Sequence, residues 1–153
     1  MNAENLVLVV QRKLKASPER LFDAWTRPEL LMQWFHAQVN MTTPKADADL
    51  KVGGAWSLTM HHTDTGENRV THGQYLVLDR PNKLVFTWFP CLKDYETKVT
   101  LLFKRATDGT TEMTLTHEGL RDEEDFKGHA AGWEEILKTF SGWLSGESAS
   151  MPS

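Results

Sequence analysis

The 153-residue chain reads as an α+β fold, with one strand, two short helices, an antiparallel meander and a long C-terminal helix in that order. Three observations predict it. A β-branched run at 6–14 stops at a proline-led helix start, turn residues divide the stretch after Val39 into strand-length pieces, and apolar residues return to helical spacing from Phe126.

The first strand is Leu6 to Leu14, apolar and then basic. Ser17-Pro18-Glu19 follows as an N-cap, a proline at the first helical position and an early acid, so a short helix begins there. Leu21, Phe22, Ala24 and Trp25 form its apolar side. Arg27-Pro28-Glu29 interrupts it before a second short helix through Leu30, Leu31 and Trp34. Gly53-Gly54, Asp64-Thr65-Gly66, Asp79-Arg80-Pro81-Asn82 and Thr107-Asp108-Gly109 then mark successive turns. Between them Trp56–Met60, Val70–Leu78, Leu84–Phe89, Thr97–Lys104 and Thr111–Thr116 have strand length, which gives six or seven strands paired as a meander and not as βαβ units. Phe126, His129 or Ala130, Trp133, Ile136 or Leu137, Phe140 and Leu144 form one stripe of the last helix, opposite Glu134, Glu135 and Lys138. The small polar residues at 148–153 read as a frayed tail, and 1–147 as one domain.

A net charge of −4 and scattered Lys and Arg offer no field for phosphates, so nucleic acid is not expected as a partner. Cys91 is the only cysteine, which excludes an internal disulfide and a cysteine zinc site and suits a reducing cytoplasm. No apolar run approaches the roughly 20 residues of a membrane-spanning helix, and no secretory signal opens the chain, so no membrane association is expected.

The run Ala16-Ser17-Pro18-Glu19-Arg20-Leu21-Phe22-Asp23-Ala24-Trp25-Thr26-Arg27-Pro28-Glu29-Leu30-Leu31-Met32-Gln33-Trp34-Phe35 resembles the opening signature of START/SRPBCC (Bet v-like) proteins of the type similar to activators of heat-shock-protein ATPase (AHSA-type). Four later stretches extend the resemblance over nearly the whole chain: Val52-Gly53-Gly54-Ala55-Trp56, Gly73 to Pro81, Leu84 to Trp88, and Thr114 to Leu120 followed by His129, Gly132 and Trp133. The resemblance implies a helix-grip fold, in which the curved antiparallel sheet wraps around the long C-terminal helix. It implies no reaction, since such proteins include ligand carriers, co-chaperone domains and a few enzymes. Chaperone activators of the eukaryotic type are expected to carry a further N-terminal domain.

Alternation turns Trp56, Leu58 and Met60 inward, with Leu84, Phe86 and Trp88, with Val99, Leu101 and Phe103, and with Met113, Leu115 and His117. The same rule turns His72, Gln74, Leu76 and Leu78 inward in the absence of a bulge. The long helix lies over this surface through Phe126, His129, Trp133, Leu137 and Phe140. The wall expected for an apolar or aromatic ligand, between sheet and C-terminal helix, is therefore Trp34, Trp56, Leu58, Met60, His72, Leu76, Phe86, Trp88, Leu101, Phe103, Met113, His117, His129, Trp133 and Leu137. The same periodicity also describes an ordinary packed core.

His61-His62 points its rings to opposite sides of a strand and no helix carries a zinc-binding histidine pair, so no metal and no cofactor is expected. His117 and His129 are the polar groups at the wall, as caps hydrogen-bonded to backbone or as ligand contacts. Glu118, Glu123, Glu124 and Asp125 read as solvated charges before a helix N-terminus. Gly53-Gly54 lacks the lysine and helix of a phosphate loop, and Cys91 lacks a basic partner that would activate it. The leading function is a cytoplasmic binding module for a small hydrophobic molecule. A co-chaperone domain with a chaperone partner is the alternative, and an enzyme acting on a bound hydrophobic substrate through His117 or His129 is the third, with no catalytic motif behind it. A homodimer stays open.

Overall fold

The computed structural model describes residues 6–36, 41–89 and 95–150, the side chains of 146–150 excepted. The order is β1 (Leu6–Leu14), α1 (Pro18–Thr26), α2 (Pro28–Trp34), β2 (Met41–Ala48), β3 (Ala55–His62), β4 (Asn68–Asp79), β5 (Lys83–Trp88), β6 (Thr97–Arg105), β7 (Thr111–Leu120) and α3 (Glu123–Ser150). The helix-grip reading is correct: a seven-stranded, curved antiparallel sheet holds the long C-terminal helix, with two short helices after the first strand. Of the tail expected at 148–153, positions 148–150 continue α3 and 151–153 lie outside the described residues.

Local chemistry sets the element boundaries. Ser17 Oγ accepts from the Arg20 amide at 3.1 Å and Pro18 opens α1, as its sequence requires. Asp122 does the same for α3, where its carboxylate accepts from the Asp125 amide at 2.8 Å. The strands run β1-β7-β6-β5-β4-β3-β2, so the first strand closes on the last and the edges are β1 and β2. Pro44 lies where the β2–β3 register shifts, between Thr42 and Lys45, at an edge where a missing amide is tolerated.

Inward residues of β3, β5, β6 and β7 meet the stripe of α3 made by Trp133, Ile136, Leu137, Phe140 and Leu144, all buried. The two short helices close the remaining side. Arg80 holds the Asp23 carboxylate at 2.9 and 3.0 Å, and Arg105 holds Glu19 at 3.0 Å, which ties α1 to the sheet. Arg12 bonds Glu134 at 2.7 Å, and Trp143 donates to Gln33 at 2.9 Å, which fix α3 to β1 and to α2.

A tryptophan-lined void and the groove beside it

The space expected between sheet and α3 is filled by side chains. Trp34, Leu101, Met113, His117 and Leu137 are at most 1% exposed, and Met60, Phe103 and Trp133 are buried with them. Trp133 lies 5.3 Å from Trp88, 6.0 Å from Phe35 and 6.1 Å from Trp25 between ring centroids, so α3 plugs the sheet with its largest residue. The open interior space is instead a void of about 20 Å³ between the short helices and β3–β5, walled by Trp25, Leu31, Phe35, Trp56, Leu58, Tyr75, Phe86 and Trp88. That is room for about one water-sized group. Trp56, Leu58, Phe86 and Trp88 had been expected at a ligand wall. Trp25 and Leu31 read in the sequence only as the apolar sides of the short helices, and nothing there marks Phe35 or Tyr75 as wall residues.

Hydrogen bonding divides the six tryptophans. Trp34 donates to the Ala24 carbonyl at 3.1 Å, Trp56 to the Thr87 carbonyl at 3.2 Å, Trp133 to His117 Nδ1 at 3.0 Å and Trp143 to Gln33 at 2.9 Å. Trp25 Nε1 and Trp88 Nε1 are buried and have no partner among the described residues. Both belong to the wall of the void. Gly73 makes the Trp56 bond feasible: a Cβ there would lie 1.9 Å from the Thr87 carbonyl oxygen and 2.8 Å from Trp56 Nε1, so only glycine lets the indole reach its acceptor. Tyr75 is 3% exposed, and burial pushes its phenol pKa up, so the hydroxyl stays protonated.

His117 is fully committed. Thr97 Oγ1 donates to the Trp88 carbonyl at 2.7 Å, so it accepts from His117 Nε2–H at 2.7 Å, while Nδ1 accepts from Trp133. The ring is therefore the neutral Nε2–H tautomer, and burial, with the nearby His129 second, lowers its pKa to about 3. Such a histidine caps the interior and has no lone pair left to take a proton from a substrate. The cap runs through side chains to the backbone at Trp88, where direct backbone bonding had been one expectation.

His129 sits above it, 4.9 Å away between ring centroids, and donates from Nδ1 to the Asp125 carbonyl at 2.9 Å. It lines an open groove of about 220 Å³ over the first turns of α3, with Trp88, Glu124, Asp125, Gly128, Gly132, Trp133 and Ile136. Asp125 is more than a solvated helix-start charge, because its carboxylate accepts from the Tyr95 hydroxyl. Burial and that carboxylate push the Tyr95 pKa up to about 12, and the Arg121 guanidinium lies 4.5 Å over its ring. Glu118 pairs with Lys98 at 3.6 Å across the sheet.

Two wall assignments are corrected. His72 and Leu76 lie on the outer face of β4, where Leu76 is 42% exposed and His72 stacks on Phe89 at 4.7 Å. Thr71, Gly73 and Tyr75 face inward, and a register shift between Tyr75 and Val77 then brings Leu78 back toward the core. Gln74 is outward for the same reason. Elsewhere His61 Nδ1 pairs with Asn68 Oδ1 at 2.6 Å, and Gly53 turns with φ +85. Among the described residues no group of three or more His, Cys, Asp or Glu could hold a metal, and no helix is long and apolar enough to cross a membrane. Cys91 lies outside the described residues.

The family described as activator of Hsp90 ATPase homolog 1-like protein matches residues 15–145. Among solved structures, the AHSA1-like protein from Aeromonas hydrophila is similar with a TM-score of 0.82 at 20% identity, over 97% of this chain and 98% of that one. Protein CV1439 from Chromobacterium violaceum is similar at 0.81 and 22% identity, over 90% and 96%. The AHSA1 protein SPO3351 from Silicibacter pomeroyi is similar at 0.79 and 24% identity, over 93% and 99%. At these identities the likeness is one of fold. No curated protein matches the chain.

Proposed function

The chain belongs to the activator of Hsp90 ATPase homolog 1-like family, and on that premise we propose that it binds one small, apolar, ring-bearing molecule. The observation that carries this reading is the position of Trp88, whose indole is both a wall of the inner void and the floor of the groove beside α3. A turn of that one side chain joins the two spaces into a site for a molecule of one or two rings. Drug-sized ligands occupy roughly 300–1,000 Å³, so this site takes something at or below the small end of that range. Ring edges and faces of Trp25, Phe35, Trp56, Phe86 and Trp133 supply the packing, and Gly128 and Gly132 leave the groove without side chains on one wall. The binding unit in this reading is a single domain over 1–147, acting in a reducing cytoplasm.

Native mass spectrometry of protein purified from its own cells tests this first. A small molecule bound one to one, and released on gentle denaturation, is the expected result. Protein that is empty from its own cells and stays empty when titrated with single-ring aromatic compounds would refute the reading.

The likeness of the family to activators of the Hsp90 ATPase favours a second reading, stimulation of a chaperone ATPase through an exposed surface. Its test is the hydrolysis rate of an Hsp90-type ATPase with and without this protein. Catalysis through His117 gains no support, because both of its ring nitrogens are occupied.

A further inference from the structure

We propose that the void between Trp25 and Trp88 recognises an uncharged hydrogen-bond acceptor, and that the bound molecule is an aromatic compound carrying a carbonyl-type oxygen. This rests on the ligand-binding reading and specifies its chemistry.

Four of the six indole N–H groups have protein acceptors, and the two without one line the same void. Leaving a buried donor unmet costs as much as a lost hydrogen bond, so two carried by residues of one wall call for an acceptor from outside the chain. Among the described residues the wall offers them little: Leu31, Phe35, Leu58 and Phe86 carry no polar side-chain atom, and the Trp56 N–H is itself a donor, held by the Thr87 carbonyl. The Tyr75 hydroxyl is the remaining polar side-chain group.

The size of the space and the count of hydrogens choose the acceptor. About 20 Å³ holds a single oxygen. A water there would accept from both indoles but would then have two hydrogens of its own to place, with one hydroxyl to receive them. A carbonyl oxygen brings two lone pairs and no hydrogen, which matches two N–H donors. A carboxylate does not fit, since among the described residues no cationic side chain lines the void and an unpaired buried anion is far costlier than a neutral group. The aromatic body of the molecule lies on the groove side of Trp88, against Trp133 and the glycines of α3.

Acetophenone and α-methylstyrene test this, because they share one shape and differ in a carbonyl oxygen against a methylene. With the full chain, acetophenone is expected to bind about tenfold more tightly. It should also shift the indole N–H proton resonances of Trp25 and Trp88, leaving those of Trp34 and Trp143 in place. Trp25→Phe and Trp88→Phe keep a ring and remove the donor, so each should lose most of the preference while still binding α-methylstyrene. Equal affinity for the two probes would overturn the acceptor assignment and leave the ligand-binding reading standing. Binding of neither would remove both. If a variant fails to fold, the resonance shifts of the unaltered protein decide the matter.

Discussion

At the scale of single residues, His117 is the clearest case of chemistry set by surroundings. Its pKa falls from 6.5 to about 3, so between those values the unfolded chain binds a proton that the folded one refuses. Stability from this group is complete above about pH 6.5 and drains away on acidification, by about 1.4 kcal/mol per pH unit within the window. Urea unfolding at pH 7 and pH 5 should therefore differ, and His117→Asn, though less stable throughout, should flatten that dependence. An identical slope in the variant would show that other groups carry it. Gly73→Ala forces a Cβ onto the Thr87 carbonyl and against the Trp56 indole, so it should cost about 1–3 kcal/mol in thermal or chemical unfolding. His117 was legible as an inward residue because β7 alternates strictly. Its tautomer was not, since it depends on Thr97 and Trp133, which are distant in sequence.

At the scale of elements, the strands that alternate without interruption could be read directly: Trp56, Leu58 and Met60, or Leu101 and Phe103, face inward as their period of two requires. On β4 the same rule misplaced His72 and Leu76. Leu78 does turn inward, but the register shift after Tyr75 inverts the phase, so stepping back by twos from Leu78 arrives on the outer face. Nothing in Gly73-Gln74-Tyr75-Leu76-Val77-Leu78 marks that shift, because apolar residues occur at consecutive positions. Helix α3 has a different irregularity. Gly128 and Gly132 weaken a helix interior, yet a Cβ at either meets nothing within 4 Å, so packing does not require them. Gly132→Ala should stabilise the fold by about 0.5–1 kcal/mol, read as a higher melting temperature, while weakening any ligand that uses the groove. A variant both more stable and equal in binding would separate the groove from the function.

At the scale of the whole molecule, the order of elements was legible because local signals all agreed on it: the Ser17-Pro18 cap, the turn clusters and the stripe from Phe126. The interior space was not. Periodicity says which side chains point inward and not how much volume they fill, and here Trp133, Leu137 and Phe140 occupy what a sheet gripping a helix could otherwise leave open. Trp133→Ala should accordingly cost about 3–5 kcal/mol, the range for a buried aromatic, with His117 left short of a donor as well. A loss well below that range, read by urea unfolding, would mean that the groove and not the packed interior holds most of the indole.

The packing of the indoles also gives the protein an optical property. Trp34, Trp25, Trp133, Trp88 and Trp56 follow one another at centroid separations of 4.8, 6.1, 5.3 and 5.6 Å, an unbroken file of chromophores through the interior. At such spacings excitation hops between rings faster than it is emitted, and neighbouring transitions couple into paired bands of opposite sign in circular dichroism. Emission is then a property of the file as a whole. A quencher arriving beside Trp88 darkens tryptophans it never touches.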